Sequence, residues 1–166
     1  MIDAITTATF PVLAENIPED LRRRPQWVSW RLEERNEKLT KVPFTPGTAR
    51  RASSTDLTSW RPFEKALAAY EAQEPPCDGI GFVFCSGDPY VGIDIDDCRD
   101  PESGEITDEK AQEIIDSVRE GYVEISPSGT GIHVIVEGTV RRGGMRRDKV
   151  EMYARDRFFT ISGRRL

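Results

Sequence analysis

Two carboxylates two residues apart on an otherwise apolar run, Tyr90-Val91-Gly92-Ile93-Asp94-Ile95-Asp96, carry the strongest chemical signal in this sequence. Alternation along a strand puts Val91, Ile93 and Ile95 on one face and Asp94 and Asp96 on the other, with anchor points roughly 6.5–7 Å apart. Like charges at that spacing repel. Without a counter-charge one of the pair tends to keep its proton, whereas a divalent cation holds both ionised. The spacing predicts a hard-metal site. Glu151 alternates with Val150 and Met152 and so adds a third carboxylate on a polar strand face. Several oxygen ligands, some able to bridge two ions, are what two-metal phosphoryl or nucleotidyl transfer uses, although a solitary strand Glu reads equally well as a solvated edge residue.

His133, the single histidine, lies in Ile132-His133-Val134-Ile135-Val136 on the face opposite Ile132, Val134 and Val136. It follows Ser126-Pro127-Ser128-Gly129-Thr130-Gly131, whose hydroxyls and glycines can shape backbone N–H groups into an anion nest or form a plain β-turn. No Lys follows the glycines, which excludes a P-loop. A calcium loop starting at Asp94 is excluded too, because Cys98 and Arg99 occupy its fifth and sixth positions, where an acid or amide and then Gly are required. Gly79-Ile80-Gly81-Phe82-Val83-Phe84 has the shape of an RNA-recognition strand but carries Asp78 in place of a basic residue and Ile80 in place of a stacking aromatic.

The elements that must position these groups are legible in outline. Pro18, Glu19 and Asp20 start a short helix that runs into Arg22-Arg23-Arg24. Trp27 to Leu32 and Lys41 to Phe44 read as a hairpin with a charged turn over Glu34 to Lys38, and Pro43 marks its second strand as an edge. Phe63, Ala66, Leu67 and Tyr70 recur at helical spacing until Pro75-Pro76. Gly79 to Phe84 and the acidic strand read as a second hairpin, joined through Gly87-Asp88-Pro89. Ala111, Ile114, Ile115 and Val118 form the apolar stripe of a helix that starts at Asp108-Glu109 and stops by Gly121. Strands follow over Tyr122 to Ser126, Ile132 to Glu137, Val150 to Tyr153 and Phe158 to Ser162.

At 166 residues the chain fits one domain. No leader pattern or apolar run of about 20 residues is present, so a cytoplasmic protein without a membrane is expected. Cys77, Cys85 and Cys98 contain no C-x-x-C pair and suggest neither a disulfide framework nor a zinc ribbon. The net charge of −6 argues against coating nucleic acid by bulk attraction. The positive charge is instead bunched, at Arg22-Arg23-Arg24, Arg50-Arg51, Arg141-Arg142, Arg146-Arg147 and Arg164-Arg165, and local patches are what contact phosphates. The four arginines around Gly143-Gly144 read as a flexible basic loop near the site.

Taken together, Gly92-Ile93-Asp94-Ile95-Asp96, the Ser-x-Ser-Gly-x-Gly-x-His element ending at His133, and Glu151-Met152-Tyr153 before Arg157-Phe158-Phe159-Thr160-Ile161-Ser162-Gly163 resemble the archaeo-eukaryotic primase superfamily, specifically the primase-polymerases of phages and plasmids. Trp27-Val28-x-Trp30, Lys41-Val42-Pro43 and Asp78-Gly79-Ile80-Gly81 extend the likeness over about Asn16 to Gly163. It implies an α+β fold in which an RRM-like, mainly antiparallel sheet carries the active site (residues 77–166) beside a smaller N-terminal α/β lobe (residues 1–76). It further implies DNA primase and polymerase activity in the replication of a mobile element. Asp94, Asp96 and Glu151 would bind Mg²⁺ or Mn²⁺, and His133 with Ser126 or Ser128 would hold the triphosphate of an incoming nucleoside triphosphate. Lys41, Arg50, Arg51, Arg141, Arg142, Arg146, Arg147 and Arg157 are candidate contacts to phosphates or to a single-stranded DNA template. The abrupt stop after a strand-like run suggests part of a longer protein, with a helicase domain or subunit as a possible C-terminal partner. Two other classes compete: a metal-dependent glycosyltransferase using Asp94-x-Asp96, and a non-catalytic nucleic-acid-binding domain that keeps the fold.

Overall fold

The computed structural model describes residues 10–166. Residues 1–9, most of the stretch read for a leader, lie outside them. Among the described residues, nine strands form two antiparallel sheets. In the first, β1 (Trp27–Arg35), β2 (Lys38–Phe44), β3 (Gly79–Phe84) and β9 (Arg157–Ile161) are ordered β2-β1-β3-β9. In the second, β4 (Tyr90–Ile95), β5 (Tyr122–Ile125), β6 (Ile132–Glu137), β7 (Gly144–Arg147) and β8 (Val150–Tyr153) are ordered β5-β6-β4-β8-β7. Helices α1 (Glu19–Arg22), α2 (Phe63–Ala72) and α3 (Glu109–Ser117) complete an α+β architecture. No helix among the described residues is long and apolar enough to cross a membrane.

The first hairpin is as expected, with a tighter turn. β1 and β2 pair up to Arg35 and Lys38, and only Asn36 and Glu37 close the loop, both at positive φ as a two-residue hairpin turn requires. Pro43 does sit on an edge strand, where its missing N–H costs no ladder bond.

The second expected hairpin is absent. β3 pairs with β1 and β9, whereas β4 pairs with β6 and β8, so the chain changes sheets between them. Asp88 fixes this crossing: its carboxylate accepts from the backbone N–H of Cys85 (2.9 Å) and Tyr90 (2.8 Å) and from Gln26 Nε2 (2.8 Å). Both strands are buried along nearly their whole length, because each is covered on two sides. Between the sheets Ile80, Phe82, Phe84, Phe159 and Ile161 meet Tyr90, Tyr122 and Ile135. The sheets approach closely at Gly92, where a Cβ would stand 2.6 Å from both the Phe84 and the Phe159 ring.

On the other side of the second sheet α3 lays its stripe on Val91, Ile93, Ile95, Ile132 and Val134. Asp108 caps the helix, accepting from the Ala111 N–H at 2.9 Å, and the helix ends at Ser117, before Val118. The arginine segment is not a free loop: Arg141–Gly143 is a short 3₁₀ segment kinked at Arg142, whose φ is +58°, and Gly144–Arg147 is edge strand β7, laddered to β8. Main-chain pairing satisfied what glycine and charge content had suggested was irregular backbone.

Candidate active site

Strand register brings the expected residues into one transverse row. Asp94 on β4 faces His133 on β6 and Glu151 on β8; His133 in turn faces Glu124 on β5, and Glu151 faces Arg146 on β7. Directly opposed residues on adjacent strands point to the same side, so five charged or polar groups cross the sheet as Glu124, His133, Asp94, Glu151, Arg146. Residues distant in the sequence thus meet through the ladder alone. Asp94, His133, Glu151, Tyr153, Phe158, Phe159, Thr160, Lys41 and Arg157 line a cleft of about 220 Å³ above this row.

The acidic end is electrostatically loaded. The side chains of Asp94 and Glu151 are 27% and 18% exposed, so their charges are only partly hydrated. Asp96, one turn of the pleat beyond Asp94, has its carboxyl pushed up by desolvation and then by the negative charges of Asp94, Glu151 and Asp97, with His133 opposing. Lys41 reaches in from β2. Burial lowers its ammonium from the ordinary lysine value, and the attraction of Asp94, Asp96 and Glu124 works against that fall. Arg157 lies 4.6 Å over the Tyr153 ring at the cleft rim.

Glu151 is fully engaged: its Oε2 accepts from the Tyr153 hydroxyl and its Oε1 pairs with the Arg146 guanidinium at 3.0 Å. Among the described residues, no three His, Cys, Asp or Glu side chains are gathered as a ready metal cage. The donor set nonetheless suits a hard cation in kind, since Asp94, Asp96 and Glu151 offer only carboxylate oxygen. An ion held there would compete with Arg146 for Glu151.

His133 is 5% exposed and stacks on Phe159, with centroids 4.8 Å apart. Its Nδ1 lies 3.1 Å from the Thr160 carbonyl oxygen and 3.5 Å from Glu124 Oε1, and its Nε2 lies 3.6 Å from Asp94 Oδ1. The serine segment sits at the Asp96 end of the sheet, where the Cys98 N–H donates to the Thr130 carbonyl. Its hydroxyls bond one another, Ser126 to Ser128 at 2.9 Å and Ser128 to Thr130 at 3.0 Å, while Ser126 Oγ accepts from the Gly131 N–H at 3.1 Å. Gly131 is required there, because a Cβ would stand 2.9 Å from the Ile95 carbonyl oxygen.

Other expected contacts lie apart from the cleft lining. Arg51 pairs with Glu33 at 2.9 Å, beside an exposed Arg50, and Arg141, Arg142 and Arg147 are exposed around β7. Glu124 was not anticipated from sequence. In Tyr122-Val123-Glu124-Ile125 it reads as the polar member of an alternating strand, yet it is 0% exposed. The signal available was its parity with Ser126, which puts it on the polar face next to the His133 element.

No family model matches the chain. The chain is 36% identical over 152 residues to a DNA primase-polymerase of Nitratiruptor phage NrS-1, an alignment that takes in 86% of this chain and 20% of the relative. The chain thus spans about a fifth of the length of that curated relative.

Proposed function

We propose that this chain carries the catalytic centre of a primase-polymerase, performing template-directed nucleotidyl transfer of the kind its phage relative is named for. The observation that carries this reading is the in-register row of Asp94, Glu151 and His133, with Asp96 two residues along β4. A βαββ run, β4-α3-β5-β6, with β4 lying between β6 and β8, supports the RRM-like sheet of the archaeo-eukaryotic primase fold.

Asp94, Asp96 and Glu151 would hold two Mg²⁺ or Mn²⁺ ions, whose chemistry is to activate the attacking 3′-oxygen and neutralise the leaving pyrophosphate. The chain's own residues have separate tasks. Asp94, fixed between two ladder partners, sets where the acidic centre lies. His133 presents Nε2 to the cleft, where it would contact a triphosphate oxygen. Lys41 and Arg157 bring positive charge to the same cleft, and Ser126 and Ser128 stand at the Asp96 end as further donors. Phe158, Phe159 and Thr160 wall the cleft and limit its water. Arg50, Arg51, Arg141, Arg142 and Arg147 would track a single-stranded DNA template as exposed phosphate contacts. A helicase domain or subunit would be the natural neighbour in a longer protein.

The reading is tested by incorporation of labelled nucleotides on single-stranded and primed templates, with Mg²⁺ and Mn²⁺ in parallel. Metal- and template-dependent extension is expected. Turnover of a sugar nucleotide without template would favour a glycosyltransferase, and metal-independent DNA binding without nucleotide binding would favour a binding module.

A further inference from the structure

Glu124 is a fully buried acid with no part in the chemistry above. We infer that Glu124 is a positioning residue that fixes the His133 imidazole with Nδ1 turned inward and Nε2 toward the cleft, an inference that rests on the reading of His133 as a triphosphate contact.

Burying a carboxylate is costly unless its lone pairs are met. Here one oxygen is saturated: Glu124 Oε2 accepts from the Tyr122 hydroxyl at 2.6 Å, the Ser162 N–H at 3.0 Å and the Gly163 N–H at 3.1 Å. Burial, and then the neighbouring Glu124, push the Tyr122 hydroxyl well above the ordinary tyrosine value, so it stays a donor. The other oxygen, Oε1, has a long contact to the Ser162 N–H at 3.4 Å and looks at His133 Nδ1 from 3.5 Å. The second neighbour of that nitrogen is the Thr160 carbonyl at 3.1 Å. Both neighbours can only accept, so the network places a proton on Nδ1 whatever the state of Nε2, which faces the cleft 3.6 Å from Asp94 Oδ1. Phe159 stacks on the ring, with the two planes 24° apart.

A structural polar residue would not need to be an acid. An amide at 124 has one oxygen, which the three donors around Oε2 would claim, and its NH₂ would then confront the Nδ1–H of His133. Only a carboxylate satisfies both sides, much as an acid behind a metal-bound histidine fixes its tautomer.

Because His133 is the single histidine, its ring nitrogens give an unambiguous signal in a ¹⁵N-labelled sample. Long-range ¹H–¹⁵N correlation of the parent at a pH where the ring is neutral should show the Nδ1–H tautomer. Glu124→Gln should lose that signature and weaken dATP binding on the order of tenfold, the low end for removing such a partner, with Mn²⁺ binding unchanged. An Nε2–H ring in the parent overturns the inference without any variant. So does a folded Glu124→Gln protein that keeps both the Nδ1–H signature and its dATP affinity. A parent with the Nδ1–H ring, altered by Glu124→Gln, that binds no dATP would support the positioning role and sink the triphosphate reading instead.

Discussion

Asp94 and Glu151 are direct cross-strand partners in the β4–β8 ladder. Opposed Cβ atoms in such a pair lie about 4.5–5.5 Å apart, near enough for two carboxylates to repel without a cation and to share one when it is present. The Arg146 guanidinium supplies a counter-charge to Glu151.

Arg146 should therefore compete with metal. Arg146→Gln is expected to tighten Mn²⁺ binding several-fold, measured by the electron paramagnetic resonance signal of free Mn²⁺. Arg147→Gln removes the same charge from the next residue of β7, which alternation turns to the other face, and should have a smaller effect. Equal effects of the two variants would reduce the Arg146–Glu151 contact to general electrostatics.

Removal of Asp96 should leave the metal-free fold intact. Its folded-state carboxyl is raised, so the folded chain holds that proton more tightly than the unfolded chain, and the ionised form costs stability as pH rises above the ordinary aspartate range. Asp96→Asn in EDTA should match the parent near pH 3.5 and equal or exceed it at pH 7. The gain should stay below about 1 kcal/mol, because Asp96 is exposed and solvent screens its neighbours. Urea titrations at the two pH values measure this, and a variant less stable at pH 7 would contradict it. Stabilisation by Mn²⁺ plus nucleotide should be lost in the same variant, since ligands stabilise only through a competent folded site.

Gly92→Ala should destabilise by about 1–3 kcal/mol, the usual cost of overpacking, because its methyl would meet the Phe84 and Phe159 rings where the sheets touch. Urea denaturation gives the value directly. Stability equal to the parent's would mean that the sheets are not locked at this point.

Replacing Arg141, Arg142 and Arg147 by Ala should weaken binding to single-stranded DNA with little sequence dependence. The salt slope should flatten by up to about 0.7 per lost phosphate contact. A salt titration giving superimposable lines for parent and variant would remove these residues from the template path.

The sequence disclosed the local parts of this architecture and little of what joins them. The α3 stripe, the Asp94/Asp96 alternation and the His133 strand depend on periodicity, which neighbouring residues determine. The row through Glu124, His133, Asp94, Glu151 and Arg146 depends on which strand lies beside which, a non-local choice made by the packing of Gly92 under two phenylalanines and of α3 behind β4 and β6. The β3–β4 crossing was misread for the same reason: Gly87-Asp88-Pro89 has turn chemistry, but Asp88 uses it to pass the chain between sheets. Strand β7 was hidden because Gly143-Gly144 has poor strand propensity and the run is short and charged, which ladder pairing to β8 overrides.

The most direct test of the central claim is single-turnover incorporation of one labelled nucleotide on a primed single-stranded template in Mn²⁺, comparing the parent with Asp94→Asn. The row of carboxylates predicts template-dependent extension by the parent and a loss on the order of 10³-fold in the variant, about 4 kcal/mol of transition-state stabilisation. Extension by Asp94→Asn at the parental rate, or no extension by the parent with either Mg²⁺ or Mn²⁺, would contradict it.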